Sequence, residues 1–129
     1  MEWDFIGDGL RMYRLRIESH FDAAHKLEGY KGKCSRLHGH RWKVEIFVLG
    51  EKLKNGMLID LEVLKKRLGR LIDKLDHTFL NEIKEIGNPT VENISRYIFE
   101  NLRLRLPKGV RLEKVRVWES EKSWGEYYV

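Results

Sequence analysis

The chain has 129 residues, of which 42% are hydrophobic and 35% charged, and this length and composition predict a single domain spanning residues 1–129. Its longest apolar runs fall well short of the roughly 20 residues that cross a bilayer, and residues 1–4 lack the basic start of a secretion signal, so we expect a cytoplasmic protein with no membrane contact. The 25 basic residues behind the net charge of +5 are interleaved with 20 acidic ones, which argues against a nucleic-acid-binding groove and suits a small anionic ligand.

A strand is the first regular element that the sequence predicts, after an irregular lead-in over residues 1–9. From residue 10 onward, apolar and charged residues alternate as they do in a strand with one buried face. This parity places His25 on the apolar face and His20 on the charged face. A bulge would reverse the assignment for the residues beyond it.

A second strand follows a loop over residues 27–33. It is predicted over residues 37–49, and its apolar parity begins with His38 and His40. If the two strands pair antiparallel across the loop, these two histidines and His25 meet on one face near the loop end of the sheet.

Two helices are predicted next. The first begins after Asp60, a good N-cap, and carries leucine and isoleucine at spacings of three and four residues over positions 61–75. Asp76 and His77 follow at its C-terminal end. Thr90 is the predicted N-cap of the second helix.

Two further strands complete the predicted fold. The strand over residues 112–119 has alternating valines, and Glu119 shares their inward parity. After a turn, residues 124–129 form the last strand. The order strand, strand, helix, helix, strand, strand predicts an α+β fold in which a four-stranded antiparallel sheet carries two helices on one face.

Three histidines of matching parity indicate a metal site. A pair such as His38 and His40 is by itself also typical of two histidines on a solvated sheet face. The third histidine, His25, favours metal binding, because a catalytic zinc has three protein ligands and one open position.

Four other polar residues each have two interpretations. Cys34 is the only cysteine, and it is either a buried small side chain or a reactive thiolate in a basic loop. His77 beside Asp76 is either an acid/base pair or a cation at a helix C-terminus. Glu119 is either a ligand-binding carboxylate or the solvated end of a strand.

Taken in order, these motifs resemble the 6-pyruvoyl-tetrahydropterin synthase superfamily. Three residues separate the cysteine from the first histidine of the His-Gly-His motif, a spacing similar to that of the 6-carboxy-5,6,7,8-tetrahydropterin synthase branch, which serves queuosine or archaeosine synthesis. The matching segments are Phe21-Asp22-Ala23-Ala24-His25, Cys34, His38-Gly39-His40, Leu75-Asp76-His77, Leu80-Asn81, Asn88-Pro89-Thr90 with Glu92, and Glu119.

The resemblance implies a role for each motif residue. It implies three zinc-binding histidines, a catalytic thiolate, an acid/base pair that assists it, and two residues that bind the pterin. In that order the residues are His25, His38 and His40; Cys34; Asp76 and His77; and Glu119 with Thr90.

The resemblance also implies a reaction and an assembly. The substrate would be 7,8-dihydroneopterin triphosphate, and the products 6-carboxy-5,6,7,8-tetrahydropterin, acetaldehyde and triphosphate. Three alternatives stay open: a 6-pyruvoyl-tetrahydropterin synthase, a dihydroneopterin aldolase, and a non-catalytic zinc-stabilised binding module. The implied tunnelling fold forms a homohexamer of two trimers, and the candidate contact residues are Trp118, Trp124, Tyr127 and Tyr128, which could instead pack against the lead-in.

Overall fold

The computed structural model describes residues 11–129, with Cys34 described by its backbone alone. The predicted irregular lead-in over residues 1–9 therefore lies outside the described residues. Within the described part of the chain, no helix is both long enough and apolar enough to span a bilayer.

Two long strands form the centre of the sheet. Strand β1 (Tyr13–His25) and strand β2 (His38–Gly50) each have 13 residues and pair antiparallel over their whole length. The ladder has no bulge, so the predicted alternation holds throughout. The opposite faces predicted for His20 and His25 are thereby confirmed, since His25 is buried and His20 exposed.

Both predicted helices are present, and both N-caps are confirmed. Helix α1 (Leu61–Asp73) begins after Asp60, whose carboxylate accepts a hydrogen bond of 2.9 Å from a backbone N–H of the first turn. Helix α2 (Val91–Leu102) begins after Thr90, whose hydroxyl accepts an equivalent bond of 3.1 Å. These bonds satisfy backbone donors that a helix start leaves unpaired.

The sheet has five strands in the order β3-β1-β2-β4-β5, so the predicted count of four is wrong. The additional strand, β3 (Thr78–Phe79), pairs parallel with Ala23 and Ala24 of β1. Two residues are too few to show an alternating pattern, so this strand had no sequence signal. Strands β4 (Arg111–Ser120) and β5 (Ser123–Tyr128) complete the antiparallel part as predicted.

The helices lie on one face of the sheet and enclose the apolar core, as predicted. Trp42 of β2 is the largest fully buried side chain, and its indole N–H donates a hydrogen bond of 3.1 Å to the carbonyl of Ala23. Its ring lies 4.8 Å from the ring of His25 and 5.2 Å from that of His40, measured between centroids. The core therefore extends directly beneath the predicted metal site.

Candidate metal centre and active site

The three histidines meet where β1 ends and β2 begins. His25 lies directly opposite His38 in the ladder, and their Nε2 atoms are 3.1 Å apart. The ring of His40 lies 5.2 Å from that of His25 and 4.7 Å from that of His38, between centroids. The predicted meeting of these side chains on one sheet face is confirmed.

Backbone carbonyls determine which ring nitrogens carry the protons. Nδ1 of His25 lies 2.8 Å from the carbonyl oxygen of Pro89, and Nδ1 of His38 lies 2.7 Å from that of Arg36. Because a carbonyl oxygen only accepts, both Nδ1 atoms must be the protonated ones. In the neutral rings, the two Nε2 lone pairs therefore face each other.

This arrangement fits a divalent metal ion. Lone pairs 3.1 Å apart repel unless a cation lies between them, and nitrogen ligands in a tetrahedral zinc site are separated by roughly 3.3 Å, given Zn–N distances of about 2.0–2.1 Å. Nε2 of His40 is also buried and has no hydrogen-bond partner among the described residues. Two unprotonated imidazole nitrogens and the unpartnered Nε2 of His40 thus converge, which suits a zinc site with three histidine ligands.

Burial favours the uncharged form of His25 and of His40. Desolvation lowers the pKa of His25 and of His40, and the neighbouring histidines lower both further. The carbonyl of Pro89 and the carboxylate of Glu119 act in the opposite direction without reversing the shift. Neutral imidazole is the form that binds metal, so the site is prepared for a cation near neutral pH.

Glu119 belongs to the same cluster, in agreement with the inward parity that the sequence predicts for it. Strand β4 has a bulge here, because Trp118 pairs with Trp124 and Ser120 with Ser123, which leaves Glu119 without a partner in β5. The carboxylate of Glu119 lies 3.1 Å from Nε2 of His40 and 3.6 Å from Nε2 of His25. The contact with His40 has the distance of a hydrogen bond without its geometry, so Nε2 of His40 has no hydrogen-bond partner among the described residues.

A cavity of about 620 Å³ opens beside Glu119. Its volume is in the range of small-molecule sites. The side chains around it carry charge of both signs: His20, Arg41, Lys43, Trp118, Glu119, Ser120 and Glu121. A slightly larger cavity of about 690 Å³ lies at the other end of β2, around Gly50, and is lined by none of the predicted site residues.

Asp76 and His77 form a second cluster, in the turn after α1. The carboxylate of Asp76 accepts a 2.8 Å hydrogen bond from the backbone N–H of Asp22 and lies 2.9 Å from Nδ1 of His77. The backbone N–H of His77 in turn donates to the carbonyl of Asp22 at 2.6 Å. These bonds lower the pKa of Asp76, chiefly through Asp22 and then through His77, so the carboxylate stays charged.

The backbone of His77 has an unusual conformation. Its φ of 58° lies in the left-handed region, which side-chain-bearing residues seldom adopt. The hydrogen bonds to Asp22 hold it there, and the imidazole projects outward with 80% of its side chain exposed. Such local strain concentrates at functional positions.

The remaining predicted residues have separate positions. The backbone of Cys34 lies in the 3₁₀ helix Lys33–Ser35, just before β2, and the structure does not describe its side chain. Thr90 uses its hydroxyl as the cap of α2, one residue after the carbonyl that holds His25. Among the described residues, the histidine cluster with Glu119 and the cluster of Asp22, Asp76 and His77 are the two groups with metal-ligand geometry.

Two asparagines hold the chain that leaves β1, a function that the sequence did not reveal. The side-chain amide of Asn81 makes two hydrogen bonds to the backbone of Lys26, at 3.0 and 2.8 Å. Asn88 does the same at Glu28, at 2.9 and 3.2 Å. Each amide forms the two backbone hydrogen bonds that a neighbouring strand would form, and together they fix the loop next to His25. In the sequence, the only indication of this role was the place of the two asparagines in the Leu80-Asn81 and Asn88-Pro89-Thr90 motifs.

Comparison with known proteins gives a consistent result. The sequence profile of the family described as 6-pyruvoyl tetrahydropterin synthase matches residues 14–129. The chain is 34% identical to 6-carboxy-5,6,7,8-tetrahydropterin synthase of Haemophilus influenzae, over 90% of this chain and 99% of that protein. It is 39% identical to dihydroneopterin monophosphate aldolase of Pyrococcus furiosus, over 84% of this chain and 91% of that protein.

A solved structure has the same fold. The 6-pyruvoyl tetrahydropterin synthase of Caenorhabditis elegans superposes with a TM-score of 0.80 at 29% identity, over 92% of this chain and 96% of that one. The predicted α+β tunnelling fold is therefore confirmed, with the five-stranded sheet described above.

Proposed function

Because this chain belongs to the 6-pyruvoyl tetrahydropterin synthase family and is a lyase-type enzyme acting on pterins, we propose that it is a zinc-dependent 6-carboxy-5,6,7,8-tetrahydropterin synthase. The reaction would convert 7,8-dihydroneopterin triphosphate to the 6-carboxy product, acetaldehyde and triphosphate. The observation that carries the proposal is the pair of Nε2 lone pairs facing each other beside the unsatisfied Nε2 of His40.

In this proposal His25, His38 and His40 hold the metal. Zinc bound there supplies Lewis-acid polarisation of an oxygen on the substrate's side chain. The carbonyls of Pro89 and Arg36 keep two of the rings in the metal-binding tautomer. Imidazole ligands suit zinc well, which supports this metal over calcium or magnesium.

Glu119 would bind the pterin ring. A carboxylate can accept two parallel hydrogen bonds from the aminopyrimidinone edge, which fixes orientation as well as affinity. The position of its carboxylate 3.1 Å from Nε2 of His40 also makes Glu119 able to approach the metal when no substrate is bound. Thr90 is proposed as a second pterin contact, beyond its capping bond.

Asp76, His77 and Cys34 would move protons. The carboxylate of Asp76 holds Nδ1 of His77 at 2.9 Å, which leaves Nε2 of that ring free to accept or donate a proton. Cys34 would act as a thiolate base on the side-chain carbons, in a loop whose neighbours Lys33 and Arg36 favour the charged form.

The exposed His77 supports assembly as part of the proposal. Most of its imidazole faces outward, and among the described residues no strand pairs with residues 13–21 of β1 on the side of β3, because β3 pairs only with Ala23 and Ala24. Open edges are usually covered by another strand. We therefore propose a homohexamer with catalytic residues meeting between subunits, located in the cytoplasm and feeding a deazapurine pathway such as queuosine or archaeosine synthesis.

A product assay tests the function. Zinc-loaded protein is incubated with 7,8-dihydroneopterin triphosphate, and mass spectrometry should find the 6-carboxy product together with acetaldehyde. The matched control is Cys34→Ala, which should retain zinc and lose turnover. A 6-pyruvoyl product would instead identify a 6-pyruvoyl-tetrahydropterin synthase.

An aldolase is the second candidate, and the observation in its favour is the 39% identity to the Pyrococcus furiosus protein. The same assay with dihydroneopterin monophosphate distinguishes it, because an aldolase would release a 6-hydroxymethyl pterin. A non-catalytic, zinc-stabilised binding module is the alternative that is not an enzyme. It would be supported if metal removal unfolded the protein while Cys34→Ala altered no activity.

A further inference from the structure

A cavity of about 370 Å³ lies where the second half of α1 meets the 3₁₀ helix Arg103–Arg105. Every charged side chain that lines it is a guanidinium, and the rest of the wall is leucine. The lining residues are Arg67, Arg70, Leu104, Arg105 and Leu106. None of them belongs to the histidine cluster or to the Asp76–His77 cluster.

No carboxylate neutralises these three arginines. Within residues 11–129, no ion pair involves any of them. Four other arginines do pair with glutamates: Arg14 with Glu113 at 2.7 Å, Arg16 with Glu45 at 2.5 Å, Arg96 with Glu100 at 3.2 Å and Arg116 with Glu126 at 2.9 Å. The cavity therefore concentrates positive charge that the chain itself leaves uncompensated.

Two of the three guanidinium groups are held in place by the backbone. Arg67 donates to the carbonyl of Arg105, and Arg105 donates at 2.6 Å to the carbonyl of Asn101 near the end of α2. Satisfying helix-end carbonyls explains these two bonds, but each guanidinium has five N–H donors and most of them stay available. Arg70 makes no hydrogen bond to any described residue, so capping does not account for it.

We propose that this cavity, which we call the arginine pocket, binds a small phosphorylated anion. A planar guanidinium group can contact two phosphate oxygens at once. Three guanidinium groups together offer more hydrogen-bond donors than a single carboxylate can accept, which favours a phosphate as the ligand. The exposed Leu104, at 81% of its surface, provides an apolar wall for an organic group next to the phosphate. The volume suits a phosphate ester or a short polyphosphate rather than a stretch of nucleic acid. The inference is independent of the pterin chemistry, since the two sites share no residue.

The test uses the full chain, labelled with ¹⁵N at arginine, and inorganic pyrophosphate as the probe. The Nε–H resonances of Arg67, Arg70 and Arg105 should shift together along one saturable curve. Arg70→Gln should weaken the binding by about tenfold, which is the loss of one charge-assisted contact.

Arg103→Gln is the matched control, because it removes the same charge from the 3₁₀ helix that borders the cavity, while Arg103 itself does not line the cavity. Its affinity should stay within about twofold of the unmodified chain at constant ionic strength. Equal losses in the two variants, or shifts that spread over many arginines without saturating, would overturn the proposal and indicate general attraction to a basic protein.

Discussion

The histidine cluster and the Asp76–His77 pair are built in opposite ways. The histidines lie where two 13-residue strands pair, and the side chain of His25 is only 2% exposed. Backbone carbonyls hold the rings of His25 and His38, and the rings of His25 and His40 pack on Trp42. Asp76 and His77 lie in a turn, where the backbone of Asp22 holds them and the imidazole is 80% exposed.

The two clusters therefore differ in how much of their surroundings a single chain supplies. The three histidines are brought together without a metal, because their positions follow from the pairing of β1 with β2, and the carbonyls of Pro89 and Arg36 set the tautomers of His25 and His38. The Asp76–His77 pair is oriented on one side only, and in the proposed function substrate or another subunit supplies the rest of its surroundings. Substitutions in the first cluster should therefore affect metal and turnover together, and those in the second should affect turnover alone.

The largest effect is expected from His38→Ala. Loss of one of the three imidazoles should abolish stoichiometric metal binding and lower turnover by about 10³-fold or more, because Lewis-acid stabilisation is worth several kcal/mol. Metal content by mass spectrometry and turnover with the pterin substrate measure both effects. His20→Ala, on the exposed face of β1, should change neither; a His38→Ala protein that kept its metal would remove this histidine from the site.

Asp76→Asn should separate the two clusters. The substitution removes the charge that orients His77 and should lower turnover by about 10²- to 10⁴-fold, the usual contribution of a positioned acid/base group. Metal content should be unchanged, since Asp76 lies outside the histidine cluster. A parallel loss of metal would mean that the two clusters are not independent.

The histidine cluster was largely predictable from the sequence, and the reason is length. Alternation over 13 paired residues without a bulge fixes which histidines share a face. The inward direction of Glu119 was predictable from the alternation in β4, but its distances to the histidines were not, because they depend on how β4 pairs with β2. The same is true of β3, of the carbonyl of Pro89 and of the amide bonds of Asn81, which exist only through contacts distant in sequence.

Lowering the pH should reduce the stability of the metal-free protein because of the buried histidines of the cluster. The pKa values of His25 and His40 are lowered by burial, so the folded chain favours neutral rings more than the unfolded chain, where the pKa is about 6.5. Their contribution to stability is fully present above about pH 6.5 and is lost as the pH falls through the lowered values. Thermal unfolding between pH 8 and pH 5 measures this, and Tm should drop on the acid side.

Glu119→Gln sharpens the same experiment. The carboxylate raises the pKa of both histidines against the effect of burial, so its removal should make the acid loss of Tm larger. His20→Gln is the control, since that side chain is exposed on the other face. A Tm that did not change with pH in the unmodified chain would contradict the assignment of neutral, buried rings.

The smallest effect is expected from Thr90→Ala, at the junction between α2 and the metal site. Losing the 3.1 Å capping bond to Asn93 should lower the free energy of unfolding by about 1 kcal/mol, while Thr90→Ser, which keeps the hydroxyl, should lose less. Metal content should stay unchanged because Pro89 presents its carbonyl to His25 through the backbone. Urea unfolding measures the first effect, and KM for the pterin tests the second proposed role. A KM unchanged in Thr90→Ala would restrict Thr90 to capping, whereas a KM that rises in Thr90→Ala and is restored in Thr90→Ser would assign its hydroxyl to the substrate.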